Sequence, residues 1–261
     1  MAPKIGLIGI VNKELETDLW GTLERVAKIG YKGQEGIGGY AVKSGLTPAE
    51  AKKRLTALGL DPIAASVRVP SPEADLDKGL ALAKGLGVKY IISYWGPVES
   101  KDQLLKEAEA LDAFGARCRK EGVSFCYHNH NHEFAKFDGQ YALDILLANT
   151  DPKNVLLELD IMWATYGGAD PAAVIHKYAG RCPILHVKDV VEVPGGAVTS
   201  NERKEVLFTE VGTGVVKLKA AMDVAKQCGV EWCVVEQDHM RDLSPMDSIQ
   251  LSYKNLKKAL G

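Results

Sequence analysis

Two spacings of apolar residues alternate along the chain. Short β-prone apolar runs fall at 4–10, 31–36, 61–69, 88–95, 123–130, 155–160, 182–188 and 231–236, and each predicts a strand. Between them apolar residues recur at helical intervals. They predict helices over 15–29, closed by Gly30; from Thr47-Pro48, an N-cap with proline at the first helical position, to 58; and from Ser71-Pro72 to the glycines Gly85 and Gly87. Further helices are predicted over 101–121, closed by Gly122; over 141–148; from Asp170-Pro171 to 178; from the Gly212-Thr213-Gly214 turn to 228; and from Ser244-Pro245 onward. Residues 190–206 read as a longer loop around Pro194-Gly195-Gly196.

Eight strands alternating with eight helices predict an α/β chain with a parallel sheet, and eight such units in 261 residues fit a closed (β/α)8 TIM barrel in a single domain. An open doubly wound sheet would carry a Gly-rich phosphate loop after the first strand, and Gly9-Ile10-Val11-Asn12 lacks that pattern.

A barrel presents its chemistry where its strands end. Those ends read Glu35, Arg68, Trp95, the run 128–133, Asp160, His186 with Lys188, and Glu236. The run is the densest: Tyr127-His128-Asn129-His130-Asn131-His132-Glu133 holds three of the six histidines. On a strand alternate side chains share a face, so His128 and His130 point one way and Tyr127 and Asn129 the other. His132 and Glu133 lie past the strand end, where parity no longer decides. Glu133, Asp160, His186 and Glu236 converge from four strands as a metal set. Three carboxylates and one imidazole without a thiolate suit Mn2+ best, with Mg2+, Co2+ or Zn2+ as substitutes.

Composition narrows the class. Apolar residues make up 46% and charged residues 25%, ordinary for a globular protein, and the net charge is -2 with acids and bases interspersed. There is no basic field for nucleic acid and no apolar run that would span a bilayer. Met1-Ala2-Pro3-Lys4 leads straight into a strand without the apolar length of a signal peptide. Cys118, Cys126, Cys182, Cys228 and Cys233 are scattered in apolar contexts and read as buried thiols, so a cytoplasmic location is expected.

With these motifs in place the chain resembles the xylose-isomerase-like TIM barrels, also called sugar phosphate isomerase/epimerases. The likeness rests on Tyr127-His128-Asn129-His130 with Glu133-Phe134, Leu157-Glu158-Leu159-Asp160 with Trp163, Leu185-His186-Val187-Lys188-Asp189, Val211-Gly212-Thr213-Gly214, and Val235-Glu236-Gln237-Asp238. It covers nearly the whole chain, so residues 1–261 are expected to form one such domain. The resemblance implies one divalent metal, commonly Mn2+, held by Glu, Asp, His and Glu. Asp160, His186 and Glu236 match that pattern. Counted from Gly122, the family's first Glu falls on His128, which leaves Glu133, preferred for its charge, or His128 as the first ligand.

The expected chemistry follows from such a set. A metal polarises a sugar carbonyl and stabilises the enediolate formed when the adjacent C–H proton leaves. Glu236 is the expected base, with His130 or Glu133 working from the opposite face of the sugar. His128, Lys188, Trp163 and Arg68 are expected to bind substrate. Tyr94 and Trp95 stack on a sugar face or simply pack, and Lys188 is alternatively a rim ion pair with Glu158 or Asp238. The Gly212-Thr213-Gly214 turn is a weak phosphate signal without a basic cluster, so an unphosphorylated sugar, polyol-derived ketose or glycoside is expected.

The leading expectation is a sugar isomerase or epimerase. A lyase acting on an inosose or a 3-keto-glycoside would use the same site. An endonuclease-IV-like DNA repair enzyme would need a trinuclear zinc site and a basic groove, and a sugar-binding barrel without catalysis would not need the ligand set. The expected partner is a small sugar, with neither nucleic acid nor membrane; a homo-oligomer is left open.

Overall fold

The computed structural model describes residues 2–94, 96–193, 195–199 and 206–261. Its strands in chain order are β1 (Lys4–Leu7), β2 (Gly33–Gln34), β3 (Asp61–Pro62), β4 (Ala64–Ser66), β5 (Tyr90–Tyr94), β6 (Ser124–His128), β7 (Lys136–Phe137), β8 (Gln140–Tyr141), β9 (Val155–Asp160), β10 (Ile184–Val187), β11 (Asp189–Val190), β12 (Phe208–Thr209) and β13 (Trp232–Val235). Nine of them form one sheet in the order β3-β2-β1-β13-β10-β9-β6-β5-β4, and every neighbouring pair in it is parallel. The two ends of that order, β3 and β4, are halves of one bent strand separated only by Ile63. The sheet therefore closes on itself as a (β/α)8 barrel.

Period-two alternation divides the strand residues between two cores. Ile91, Phe125, Tyr127, Leu157, Leu159, Leu185, Val187, Cys233 and Val235 belong to the larger apolar core between sheet and helices. Tyr90, Ile92, Cys126, Ile184, Trp232 and Val234 join Ile63 and Ala64 in a second core that fills the barrel itself. From β5 to β13 the odd positions thus face the helices and the even positions face the axis. Trp232 and Ile63 are bulky for that interior, and two glycines make room for them. A Cβ on Gly33 would lie 2.8 Å from the Trp232 ring and 2.7 Å from Ile63, and one on Gly6 would lie 2.3 Å from Ile63.

The predicted elements recur with shifted ends. Strand 123–130 stops at His128, and strand 61–69 breaks at Ile63 and stops at Ser66. The helix expected over 15–29 is two helices, Asn12–Thr17 and Leu19–Ile29. Asp18 divides them, because its side chain accepts from Gly21 N and caps the second. Thr47 and Glu50 form a reciprocal capping box, and Asp170 and Ser244 cap their helices as their sequence positions suggest. The helix expected directly after Gly214 begins only at Leu218. Residues after the strands add the short helices Ile37–Lys43 and Ile161–Tyr166, a 3-10 turn at His132–Phe134, and the hairpins β7–β8 and β11–β12. Of the expected loop at 190–206, Val190 belongs to β11 of the second hairpin. Trp95 and Pro194 lie outside the described residues. All five cysteines are buried and free. Among the described residues no helix is long and apolar enough to cross a membrane.

Candidate active site

The even-numbered parity that fills the barrel continues past the apolar plug and changes character. One layer above Cys126 lies His128, above Leu156 lie Glu158 and Asp160, and above Ile184 lies His186. His128 pairs in register with Glu158, and Asp160 with His186. All four are at most 5% exposed. Glu35, from the loop after β2, is 6% exposed and completes the layer. A cavity of about 360 Å3 opens above them. Its polar side is His128, His130, Glu158, His186, Lys188 and Glu236; Ile8, Asn12, Tyr40 and Tyr94 contribute to the rest of its lining.

The layer is held by short contacts between charged groups. His128 Nδ1 donates to Glu158 Oε2 at 2.9 Å. That carboxylate fixes the orientation of the ring. His186 Nδ1 lies 2.7 Å from Glu236 Oε2, and its Nε2 lies 3.3 Å from Glu35 and 3.4 Å from Glu158. Burial alone would lower the pKa of His186, but Glu158, Glu35 and Glu236 prevail and hold it well above the usual value. Burial, reinforced by neighbouring Glu158, raises Glu35. Burial likewise raises Asp160 against the pull of Lys188. For Glu236 burial works the other way from Lys188 and His186, which win and keep it ionised.

The residues present fit a divalent cation. One donor atom each from His128, Asp160 and His186 lie within 4.8 Å of one another, and the same holds for Glu35, Glu158 and His186. Among the described residues Asp160 Oδ2 and Glu158 Oε1 are buried without a hydrogen-bond partner, the former facing the Lys188 ammonium at 3.3 Å. Buried carboxylate oxygens left in that state call for a cation.

The fold brings together part of the predicted set. Asp160, His186 and Glu236 meet as expected. Glu133 does not reach them. It is fully buried, with Oε1 accepting from Tyr127 Oη at 2.7 Å and Oε2 accepting from the His130 amide at 2.8 Å. It thus braces the turn after β6, and His128 stands in the layer where Glu133 was expected. His130 lies beyond the strand end yet still faces the cavity, its ring 5.1 Å from that of His128. Trp163 is not a cavity wall. It is 1% exposed and packs beneath His130 and against Tyr166 and Phe208. Tyr94 does border the cavity. Lys188 is no rim residue: it is 3% exposed, and its ammonium contacts Asp238 and Glu236 at 2.9 Å and Asp160 at 3.3 Å. Glu158 and Glu35 were absent from the predicted set. The parity of Glu158 with Asp160 was the available signal, since both must face the axis if either does.

Arg68 is exposed and outside the cavity lining. Its charge bears instead on Glu107, whose carboxyl is pushed up to about 7 by burial, against the lowering effects of Gln103 and Arg68. A carboxyl raised on folding is neutral in both states at low pH and ionised in both at high pH, so folding loses stability as pH rises from about 4.5 to 7. Glu107→Gln removes that loss. Thermal melts should show the variant more stable than the parent at pH 8 and nearly equal to it at pH 4; equal melting temperatures at pH 8 would refute this.

The Gly212-Thr213-Gly214 turn is already occupied by the chain's own carboxylate. Asp189 Oδ2 accepts from the amides of Gly212 at 2.9 Å and Gly214 at 3.0 Å, and Oδ1 accepts from Val190 at 2.9 Å and Val216 at 3.1 Å. A Cβ on Gly214 would fall 2.2 Å from Val190 O, so the close approach requires glycine there. These are the amides a phosphate would need. Asp189→Ala leaves four amides without an acceptor and should cost roughly 3 kcal/mol of stability, read by denaturant unfolding.

Comparison with known proteins places the chain in a family. The xylose isomerase-like TIM barrel model matches residues 23–259, and the chain belongs to that family. Inosose dehydratase of Geobacillus thermodenitrificans is 27% identical over 149 residues, 54% of this chain and 49% of that protein. The chain thus spans about half the length of the curated relatives it matches. A sugar phosphate isomerase/epimerase of Parabacteroides distasonis superposes with a TM-score of 0.77 at 22% identity, covering 100% of this chain and 96% of the other. The IolI protein, solved with a bound zinc atom, gives a TM-score of 0.76 at 17% identity, with 98% of each chain covered. At these identities the structural matches establish the fold.

Proposed function

We propose that the protein is a divalent-metal-dependent enzyme that removes the proton next to the carbonyl of a small, unphosphorylated sugar or polyol-derived ketose. The observation that carries this reading is the buried layer of His128, Glu158, Asp160 and His186 beneath the cavity, with its unsatisfied carboxylate oxygens. His128, Asp160 and His186 would hold the cation, with Glu236 beside them. When bound, it would polarise the substrate carbonyl and stabilise the charge left after proton loss. With His128 in place of Glu133 the donor set gains an imidazole, so Zn2+ and Co2+ compete better with Mn2+ than for a carboxylate-rich set.

The remaining roles belong to the chain. Glu236 takes the carbon-bound proton. His130, at the other end of the imidazole row, delivers or accepts the second proton. Tyr40 and Tyr94 offer aromatic faces to the sugar, and Asn12, whose Oδ1 accepts from Tyr40 Oη at 2.7 Å, fixes one of them. The Asp189 carboxylate supports an unphosphorylated substrate, because it fills the turn where a phosphate would sit.

Proton removal is common to isomerisation, epimerisation and loss of water. The match to inosose dehydratase favours elimination as the second reading, with His130 protonating the leaving hydroxyl. Proton NMR in D2O with metal-loaded protein separates the outcomes. Inososes and free ketoses should exchange the hydrogen next to the carbonyl, followed by a new epimer or isomer in one case and an enone with loss of water in the other. Turnover confined to phosphorylated sugars would refute the substrate class.

A further inference from the structure

Lys188 is placed where a second cation is least expected. Its ammonium is 3% exposed and lies among three carboxylates: Glu236 Oε2 at 2.9 Å, Asp238 Oδ1 at 2.9 Å and Asp160 Oδ2 at 3.3 Å. One of the three, Asp160, belongs to the group read above as the divalent-cation site, and Glu236 stands beside that group. Asp160 has no oxygen to spare. Its Oδ1 accepts from Trp163 N at 2.8 Å as a helix cap, so Oδ2 is the one atom it can give a metal. That atom has no hydrogen bond and faces Lys188 through charge alone. Glu236 Oε2 is likewise shared between Lys188 and His186 Nδ1. The ammonium therefore sits on the Asp160 oxygen that a divalent ion would use and on a Glu236 oxygen beside it.

We propose that Lys188 is an internal counter-cation that competes with the divalent ion for Asp160 and Glu236, and that Asp238 is the carboxylate to which it withdraws when the ion binds. The proposal rests on the reading of this cluster as a divalent-cation site. Buried like charges repel without the screening that solvent would supply, so ion and ammonium cannot both stay on Asp160 Oδ2 at little cost. Nor can Lys188 stay buried without a counter-charge, since an unpaired ammonium there would be costlier still. Asp238 offers the alternative. Its side chain is 25% exposed against 0% for Asp160, it borders the cavity, and it belongs to neither candidate donor group. An affinity tuned in this way holds the carboxylates in place before the ion arrives and keeps the ion exchangeable.

The test measures the affinity of metal-stripped protein for Mn2+ and Zn2+ by calorimetry or chelator competition. The parent, Lys188→Met, Asp238→Asn and the double variant are compared. Lys188→Met should bind the ion roughly tenfold tighter or more, because a unit charge a few ångströms away has gone. Asp238→Asn should bind it more weakly, because Lys188 is left with Asp160 and Glu236 alone. In the double variant the second change should have no effect of its own, and the cycle isolates that coupling. Equal or weaker binding by Lys188→Met would overturn the competition. An Asp238→Asn effect of equal size in both backgrounds would overturn the withdrawal. A parent that binds neither ion would overturn the metal reading itself, an outcome distinct from both. Asp238→Asn retains Lys188, so it reports the direction of the effect if Lys188→Met does not fold.

Discussion

Asp160→Asn is expected to weaken divalent-ion binding roughly a hundredfold or more while leaving the fold intact. Asparagine caps a helix as well as aspartate does, so the bond from Trp163 N to Oδ1 survives. What changes is the other atom. An NH2 group replaces Oδ2, carries no charge and no available lone pair, and faces Lys188. Alteration of a residue that merely orients a ligand costs 10–100-fold in metal affinity as a rule, and a ligand should cost at least as much. Metal analysis after dialysis against a weak chelator, beside a thermal melt of the stripped protein, checks both halves. An unchanged metal content with an unchanged melt would remove Asp160 from the ligand set.

Glu236→Gln should slow solvent exchange of the substrate C–H proton by about 10²–10⁴-fold, the range for loss of a general base. The amide still accepts from His186 Nδ1, now 2.7 Å from Glu236 Oε2, and the grouping of His128, Asp160 and His186 does not include Glu236. Most of the bound metal should therefore remain. In the parent, Lys188 and His186 overcome burial and keep Glu236 ionised, which is the form a base requires. His130→Asn is the companion: a loss of similar size marks it as the second acid or base, and a small loss marks it as a positioning group. Near-normal exchange in Glu236→Gln with metal content confirmed would move the base elsewhere, and His130 would be tested next.

The barrel was legible in the sequence because its signal is repeated. Eight apolar runs separated by capped amphipathic helices leave few other folds, and a misplaced end, as at Asp18 or Ile63, does not disturb the count. The candidate site was partly legible for a related reason. Asp160, His186 and Glu236 each stand at the end of a run whose direction is known. Glu133 was not, because past His128 the chain turns and neither parity nor residue type says where a carboxylate points. Its charge suggested a ligand, whereas in the fold it answers a tyrosine hydroxyl and a backbone amide. Glu158 failed in the opposite way: within a Leu-rich strand it reads as an interruption, and only the even-numbered parity of β9 reveals it as lining the axis. The role of Asp189 could not be read from the sequence at all, since its four amide partners come together only when the loop after β12 folds back.

The apolar plug of Tyr90, Ile92, Cys126, Ile184, Trp232 and Val234 gives the molecule a closed floor. A reactant that enters the vestibule must leave by the same doorway. For the proposed reaction, product and incoming substrate would therefore be mutually exclusive, with egress preceding the next arrival. In the proposed reaction water too would come from the mouth, and a sugar seated there would act as its own stopper.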